Sequence, residues 1–171
     1  MHRAVLDVLQ TRAGQQAERL VERLYGPITL HTTCCLNRKE SMSGSCILTP
    51  CVTCYQQYKK ICPDAEPVFL LEKLLETDIF PFPDYQGMEM SIQDTCSARL
   101  DPKVLSVVRR LLERMNIRLS EPQRSGNHSK CCGQKFYGKL PLEEVESLMA
   151  KRLARCLVKR WWCIALPALP A

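Results

Sequence analysis

The chain has 171 residues, of which 46% are hydrophobic and 25% are charged, so it is long enough for one domain or two small lobes. It contains no long apolar run, which excludes a membrane-spanning helix. The net charge of +6 is scattered. The basic pairs Lys59-Lys60 and Arg109-Arg110 have no interleaved aromatic residues, so we interpret them as solvated helix faces and expect no binding to nucleic acid.

The cysteine content is the most informative feature of the composition. Eleven cysteines are present. The first residues form an amphipathic pattern rather than the apolar core of a signal peptide, which predicts a cytoplasmic protein. In a reducing compartment, cysteines more often bind metals or carry out redox reactions than form disulfides. We therefore expect several of these cysteines to belong to a metal or redox site.

The first predicted lobe covers residues 1–80. Apolar residues at helical spacing predict a helix over residues 3–25. Short apolar runs predict strands at Ile28–Leu30 and Cys46–Thr49, and Val68–Leu70 predicts a strand or buried turn that leads into another helix. This alternation of short strands and helices is typical of an α/β fold with parallel strands.

Four cysteines follow the two strands of this lobe. Cys34 and Cys35 come after the first strand, and Cys51 and Cys54 come after the second, at the predicted start of a helix. Free N–H groups and the positive end of the helix dipole favour thiolates at such a position. By itself the Cys51-x-x-Cys54 pair is compatible with a dithiol redox pair, half of a zinc site, half of a cluster site or a vestigial motif. Cys46 and Cys62 are interpreted as packed thiols.

Residues 81–87 contain two prolines and a glycine and are the predicted linker to the second lobe, residues 88–171. Alternating apolar residues predict a strand over 88–93, which leads to Cys96. A helix is predicted to begin at Asp101-Pro102, and a returning strand follows it.

This strand–helix–strand passage explains how distant cysteines could meet. Cys96 is separated by 34 residues from the pair Cys131-Cys132. Because parallel strands joined by a crossover end at the same edge of a sheet, these cysteines are expected at one edge. Adjacent cysteines do not readily bind one small ion together, whereas a cluster of several iron atoms offers separate attachment points for thiolates. Gly133 would let the backbone approach such a cluster or adopt a positive φ.

A single cysteine, a spacer of this length and then Cys131-Cys132-Gly133 resembles the cysteine-rich CCG module. This module occurs in the B subunit of heterodisulfide reductase and in iron–sulfur subunits of glycolate and lactate oxidation systems. The resemblance extends over about residues 26–155, and the segment from Thr49 to Tyr55 also resembles the end of such a module. Gln93-Asp94-Thr95-Cys96 stands where the family usually has His-Asp-Pro-Cys.

The resemblance implies an α/β fold with two small lobes of short parallel strands, crossover helices and cysteines at the strand ends. It implies an electron-transfer protein within an oxidoreductase, with a [4Fe-4S] cluster and a ferredoxin-type or flavoprotein subunit as partner. The implied ligands are first Cys96, Cys131 and Cys132, and second Cys34, Cys35, Cys51 and Cys54. A structural zinc site made by the second set, or a metal-free interaction module, are the alternatives.

The last fifteen or so residues do not follow the family pattern, in which a final strand is followed by Cys-x-x-Cys. No such motif follows Trp161-Trp162-Cys163. Because tryptophan has the single codon TGG, a second reading frame through these residues encodes Val-Val, and after one Tyr or His codon it permits Cys-x-x-Cys. Our hypothesis is that the chain from about residue 156 onward results from a frameshift.

Overall fold

The computed structural model describes residues 2–4, 19, 21–30, 44–78, 80–131, 133, 136–155 and 161–163. The chain divides into two compact units, Met1–Pro81 with Leu166–Ala171 and Phe82–Ala165. This division lies within the predicted linker, residues 81–87. Both units combine helices with short parallel strands, as the predicted α/β fold requires.

The first unit contains a parallel sheet of four strands in the order β2-β1-β3-β4. Its elements along the chain are β1 (His2–Ala4), β2 (Ile28–Leu30), β3 (Cys46–Thr49), α1 (Val52–Ile61), β4 (Glu66–Phe69) and α2 (Leu70–Glu76). The strands predicted at Ile28–Leu30 and Cys46–Thr49 are confirmed, and so is the strand that leads into a helix near residue 70.

The predicted helix over residues 3–25 is wrong at its beginning. His2–Ala4 is a strand that pairs with β2 on one side and with β3 on the other. Helical structure is described at residue 19 and over residues 21–25, and the rest of the predicted helix lies outside the described residues. Over three residues, the alternation of side chains in a strand cannot be distinguished from one turn of a helix. Pairing with strands that are distant in sequence therefore decides that these residues form a strand.

The second unit contains a parallel sheet of three strands in the order β6-β5-β7. Its elements are β5 (Met88–Gln93), a 3-10 helix (Cys96–Ala98), α3 (Pro102–Arg114), β6 (Ile117–Ser120), a second 3-10 helix (Gly126–His128), α4 (Leu142–Leu153) and β7 (Trp161–Cys163). The predicted strand over residues 88–93 and the start of α3 are confirmed. The Asp101 carboxylate accepts a hydrogen bond from the Val104 N–H and caps α3, and Pro102 is its first residue.

The two crossover connections of the second unit run in opposite directions across its sheet, whose central strand is β5. The chain passes from β5 through α3 to β6 on one side, and then through α4 to β7 on the other. Because such crossovers are right-handed, α3 and α4 belong to opposite faces of the sheet. The carboxyl ends of β5 and β7 therefore form a switch point, where open α/β sheets bind their ligands. Within the described part of the chain, no helix has the length and apolarity needed to cross a membrane.

Candidate metal centre

Two cysteines of the first ligand set lie on loops at the carboxyl edge of the second sheet. β5 ends at Gln93, and Cys96 begins the short 3-10 helix with its side chain exposed. Cys131 is half-buried, and the backbone N–H of Gly133 donates to its Sγ at 3.5 Å. Cys132 lies outside the described residues.

The buried carboxylate of Asp94 joins several segments around these cysteines. Its side chain is fully buried, and its two oxygens accept from the Arg109 guanidinium at 3.1 and 2.9 Å. The backbone N–H of Gly126 donates to the same carboxylate at 2.6 Å. Arg109 also donates to Glu121 at 2.7 Å, so one guanidinium lies between two carboxylates. Asp94 thus fixes the start of the Cys96 loop to α3 and to the loop that precedes Cys131.

Charge pairing dominates the electrostatics of Arg109. Burial alone would lower the pKa of its guanidinium, but hydrogen bonds and charge attraction from Asp94 and Glu121 raise that pKa further above its usual range. Arg109 therefore stays charged at every accessible pH. The expectation that Arg109-Arg110 forms a solvated face is wrong for Arg109, because its partner Asp94 is distant in sequence and close only in the fold.

Two further arginines connect the same loops. Arg99, three residues after Cys96, donates through Nη2 to the backbone oxygen of Ser129, two residues before Cys131. Arg152 of α4 donates to the backbone oxygen of Asp94 at 2.8 Å and is buried. The loops that carry Cys96 and Cys131 are therefore tied together by side chains that are not themselves metal ligands.

Buried polar atoms without a hydrogen-bond partner provide a test of whether a cluster fits here. Among the described residues, Gln93 Nε2, Arg99 Nε and Ser129 Oγ are such atoms. Unsatisfied buried donors are rare in native proteins and call for an explanation. All three belong to segments that flank Cys96 or Cys131, and the sulfurs of an anionic iron–sulfur cluster accept hydrogen bonds. The residues present thus fit the chemistry of such a cluster.

Gly133 has the positive φ that the sequence predicts, at +98°. A Cβ atom at this position would lie 3.2 Å from Leu148 Cβ and 3.4 Å from the Val145 carbonyl oxygen. The backbone after the two cysteines therefore packs directly against α4. This close contact with α4 requires a glycine at position 133, whether or not the backbone also approaches a cluster.

In the first unit, Cys51 lies at the beginning of α1, as predicted. It is exposed, and its backbone N–H donates to Thr49 Oγ1 at 3.2 Å. A hydrogen bond from the Cys54 thiol, together with the N–H groups of Cys54 and Thr53, lowers the pKa of Cys51 to about 6, against the opposing effect of burial. Cys51 is therefore a thiolate at neutral pH.

The other described cysteines of the first unit belong to its interior. Cys54 is 3% exposed and packs in one apolar cluster with Ile47, Tyr58 and Cys62. Burial raises the pKa of the half-buried Cys46 thiol. The interpretation of Cys46 and Cys62 as packed thiols agrees with these positions. Cys34 and Cys35 lie outside the described residues.

Within the described ranges, no group of three or more His, Cys, Asp or Glu side chains is close enough to hold a metal ion. Both ligand sets include undescribed cysteines, so each set is represented here by two members only. A groove of about 1070 Å³ lies along α3, β6 and the 3-10 helix Gly126–His128, and no cysteine is among its lining residues. Arg99, Arg109 and Gly126 line this groove and also hold the loops of Cys96 and Cys131, so the groove adjoins the candidate metal centre.

No protein-family model matches this chain, and neither a curated protein nor a solved structure is significantly similar to it.

Proposed function

We propose that the protein binds an iron–sulfur cluster and transfers electrons as a component of a cytoplasmic oxidoreductase, similar to heterodisulfide reductase B-type subunits. The cluster is a [4Fe-4S] type held in the second unit by Cys96, Cys131 and Cys132. The observation that carries this proposal is the set of unsatisfied buried donors beside Cys96 and Cys131, at the carboxyl edge of a parallel sheet. A ferredoxin-type or flavoprotein subunit is the expected partner.

The residues of the chain have distinct parts in this proposal. A bound cluster supplies a reversible one-electron couple. The sulfurs of the three cysteines would hold it, and the Gly133 N–H donates to Cys131 Sγ. Asp94 and Arg109 keep the two cysteine loops in place through a buried ion pair. Outer contacts of this kind orient ligands and tune metal centres.

Metal analysis of anaerobically purified and reconstituted protein tests the proposal. We expect about four iron atoms per chain, an equal amount of sulfide and a broad visible absorption. The Cys96→Ser variant should lose iron and sulfide. The control is Cys62→Ser, which changes a buried thiol outside both ligand sets and should keep them.

The alternatives give different results in the same experiment. Zinc without iron, lost in Cys51→Ser, would indicate a structural zinc site in the first unit, for which the low pKa of Cys51 is suitable. A folded wild-type protein that takes up neither metal would indicate a metal-free interaction module. Either result would contradict the proposed electron transfer.

A further inference from the structure

We propose that the side-chain amide of Gln93 donates a hydrogen bond to a sulfur of the cluster and raises its reduction potential without coupling that potential to a proton. This inference rests on the proposed function. It concerns a residue that contributes no metal ligand. It therefore predicts an effect on the potential of the centre and not on its assembly.

The burial of Gln93 is the first argument. Gln93 is 5% exposed, and its Nε2 has no hydrogen-bond partner among the described residues. A buried amide N–H without a partner is destabilising, so a glutamine is a poor choice for this position if no acceptor ever occupies the site. A leucine or methionine would fill similar space without that penalty.

The position of Gln93 in the sheet is the second argument. It is the last residue of β5, three residues before Cys96, and it pairs in register with Cys163 of β7. It therefore lies at the carboxyl ends of the two strands that form the switch point of the second sheet. Its neighbour Asp94 acts as an acceptor, with its oxygens bound by Arg109 and Gly126, so at this strand end the unused donor belongs to Gln93.

The chemistry of the amide determines the consequence. Each added electron makes the cluster more negative, so a hydrogen-bond donor at its sulfur stabilises the reduced state and raises the potential. A carboxamide does not titrate between pH 6 and 8, whereas an imidazole does. Glutamine therefore supplies the hydrogen bond but no proton, so this position favours transfer of electrons alone.

Redox titrations of the reconstituted protein, followed by electron paramagnetic resonance, test the inference. Gln93→Leu should shift the potential to more negative values at unchanged iron content. Gln93→His should have a reduction potential less negative than that of Gln93→Leu, because the imidazole also donates a hydrogen bond. Its potential should rise as the pH falls from 8 to 6, whereas the side chain of Gln93 gives the wild type no pH dependence in this range. Gln123→Leu, which changes an exposed glutamine of the same unit, is the control and should leave the potential unchanged.

Urea unfolding of the metal-free protein separates this role from a structural one. If Nε2 has an acceptor only when the cluster is bound, Gln93→Leu should raise the urea midpoint of the metal-free protein, because it removes an unsatisfied buried donor. A lower midpoint, or an unchanged potential in Gln93→Leu, would overturn the inference and leave the proposed function intact. A wild-type chain that binds no iron would overturn both, and iron analysis detects that result independently of Gln93.

Discussion

The two units share one strand topology but carry different cysteines along it. In each, a first strand lies between the second and third strands and is parallel to both: β1 between β2 and β3, and β5 between β6 and β7. The first unit has cysteines after its second and third strands. The second unit has them after its first and second strands, and none follows β7 in the remaining sequence.

This difference means that the two units carry their cysteines at different strand ends. The switch point of each sheet lies between its first and third strands, so a complete site would receive cysteines from both strand ends. The first unit supplies Cys51 from the end of β3, and the second supplies Cys96 from the end of β5. Among the described residues, unsatisfied buried polar atoms occur only in the second unit, whereas the Cys51 thiolate already has hydrogen bonds of its own.

The largest expected effect distinguishes the two units as sites for the cluster. Because the unsatisfied donors lie beside Cys96, Cys96→Ser should abolish iron and sulfide binding, and Cys51→Ser should retain most of both. Iron and sulfide analysis after anaerobic reconstitution measures the difference. Equal losses in the two variants would contradict the assignment of the cluster to the second unit.

Cysteines introduced after β7 provide a second test. Cys51 follows the last residue of β3 by two positions, and the corresponding pair after β7 is Ala165 and Ala168. Replacing both alanines by cysteine should increase the iron retained on exposure to air, because two thiolates are added to the ligand set. A single Ala168→Cys variant is the control. Unchanged retention in the double variant would contradict the correspondence between β3 and β7.

The same positions test the frameshift hypothesis at the level of the gene. The second reading frame permits cysteine codons close to residues 165 and 168, and its Val-Val would replace the tryptophans of β7 with another pair suited to a strand. Sequencing the gene decides between the frames. Arginine or glycine codons at those two positions of the second frame would exclude the hypothesis.

Ion pairs give the next largest contrast between the units. Asp94 and Arg109 form a pair in which the carboxylate is fully buried, whereas Lys73 and Glu76 in the first unit pair in solvent at 2.7 Å. Asp94→Asn leaves Arg109 without its buried partner and should lower the free energy of unfolding by about 3 kcal/mol. Glu76→Gln should lower it by less than about 1 kcal/mol. Urea unfolding of both variants measures this difference, and equal values would contradict it.

How far the sequence predicts this molecule depends on how local each signal is. The strand over residues 88–93 and the capped start of α3 are correct because alternation, Asp101 and Pro102 act within a few residues. The strand His2–Ala4 is missed because its pairing with β2 and β3 is not local.

The candidate site divides in the same way. The position of Cys51 at the beginning of α1 could be predicted, since Pro50 and the following helix are adjacent in sequence. The pairing of Arg109 with Asp94 spans fifteen residues, and that of Arg99 with Ser129 spans thirty. No pattern in a single sequence indicates such pairs, although an acidic residue at a buried strand end is a reason to look for a basic partner.

Packing of the backbone after the cysteines predicts a smaller effect. Gly133→Ala would strain a positive φ and place a Cβ 3.2 Å from Leu148 of α4, so it should cost about 2 kcal/mol of stability. Gly138 also has a positive φ, at +71°, but nothing lies within 4 Å of its added Cβ. Gly138→Ala should therefore cost only about 1 kcal/mol, and the difference isolates the contact with α4. Thermal or urea unfolding compares the two, and equal costs would contradict this packing role.

The smallest effect concerns the pH dependence of the first unit. The pKa of Cys51 is lowered from 9.0 to about 6, chiefly by the Cys54 thiol. The stability that this thiolate contributes is thus fully present only above the pKa of an unfolded cysteine, and it is lost as the pH falls through about 6. In metal-free protein, alkylation of Cys51 by iodoacetamide should be half-maximal near the same pH.

Removing the hydrogen bond tests the cause of this shift. Cys54→Ala should move the half-maximal pH of Cys51 alkylation upward toward the value of an ordinary thiol, while Cys46, whose pKa is raised by burial, serves as an internal control in the same digest. Peptide mass spectrometry across pH 5 to 9 resolves the two residues. If the alkylation profile of Cys51 does not change in Cys54→Ala, the backbone at the start of α1, and not the Cys54 thiol, stabilises the thiolate. The reactivity of Cys51 would then result from the position of this residue at the helix N-terminus alone.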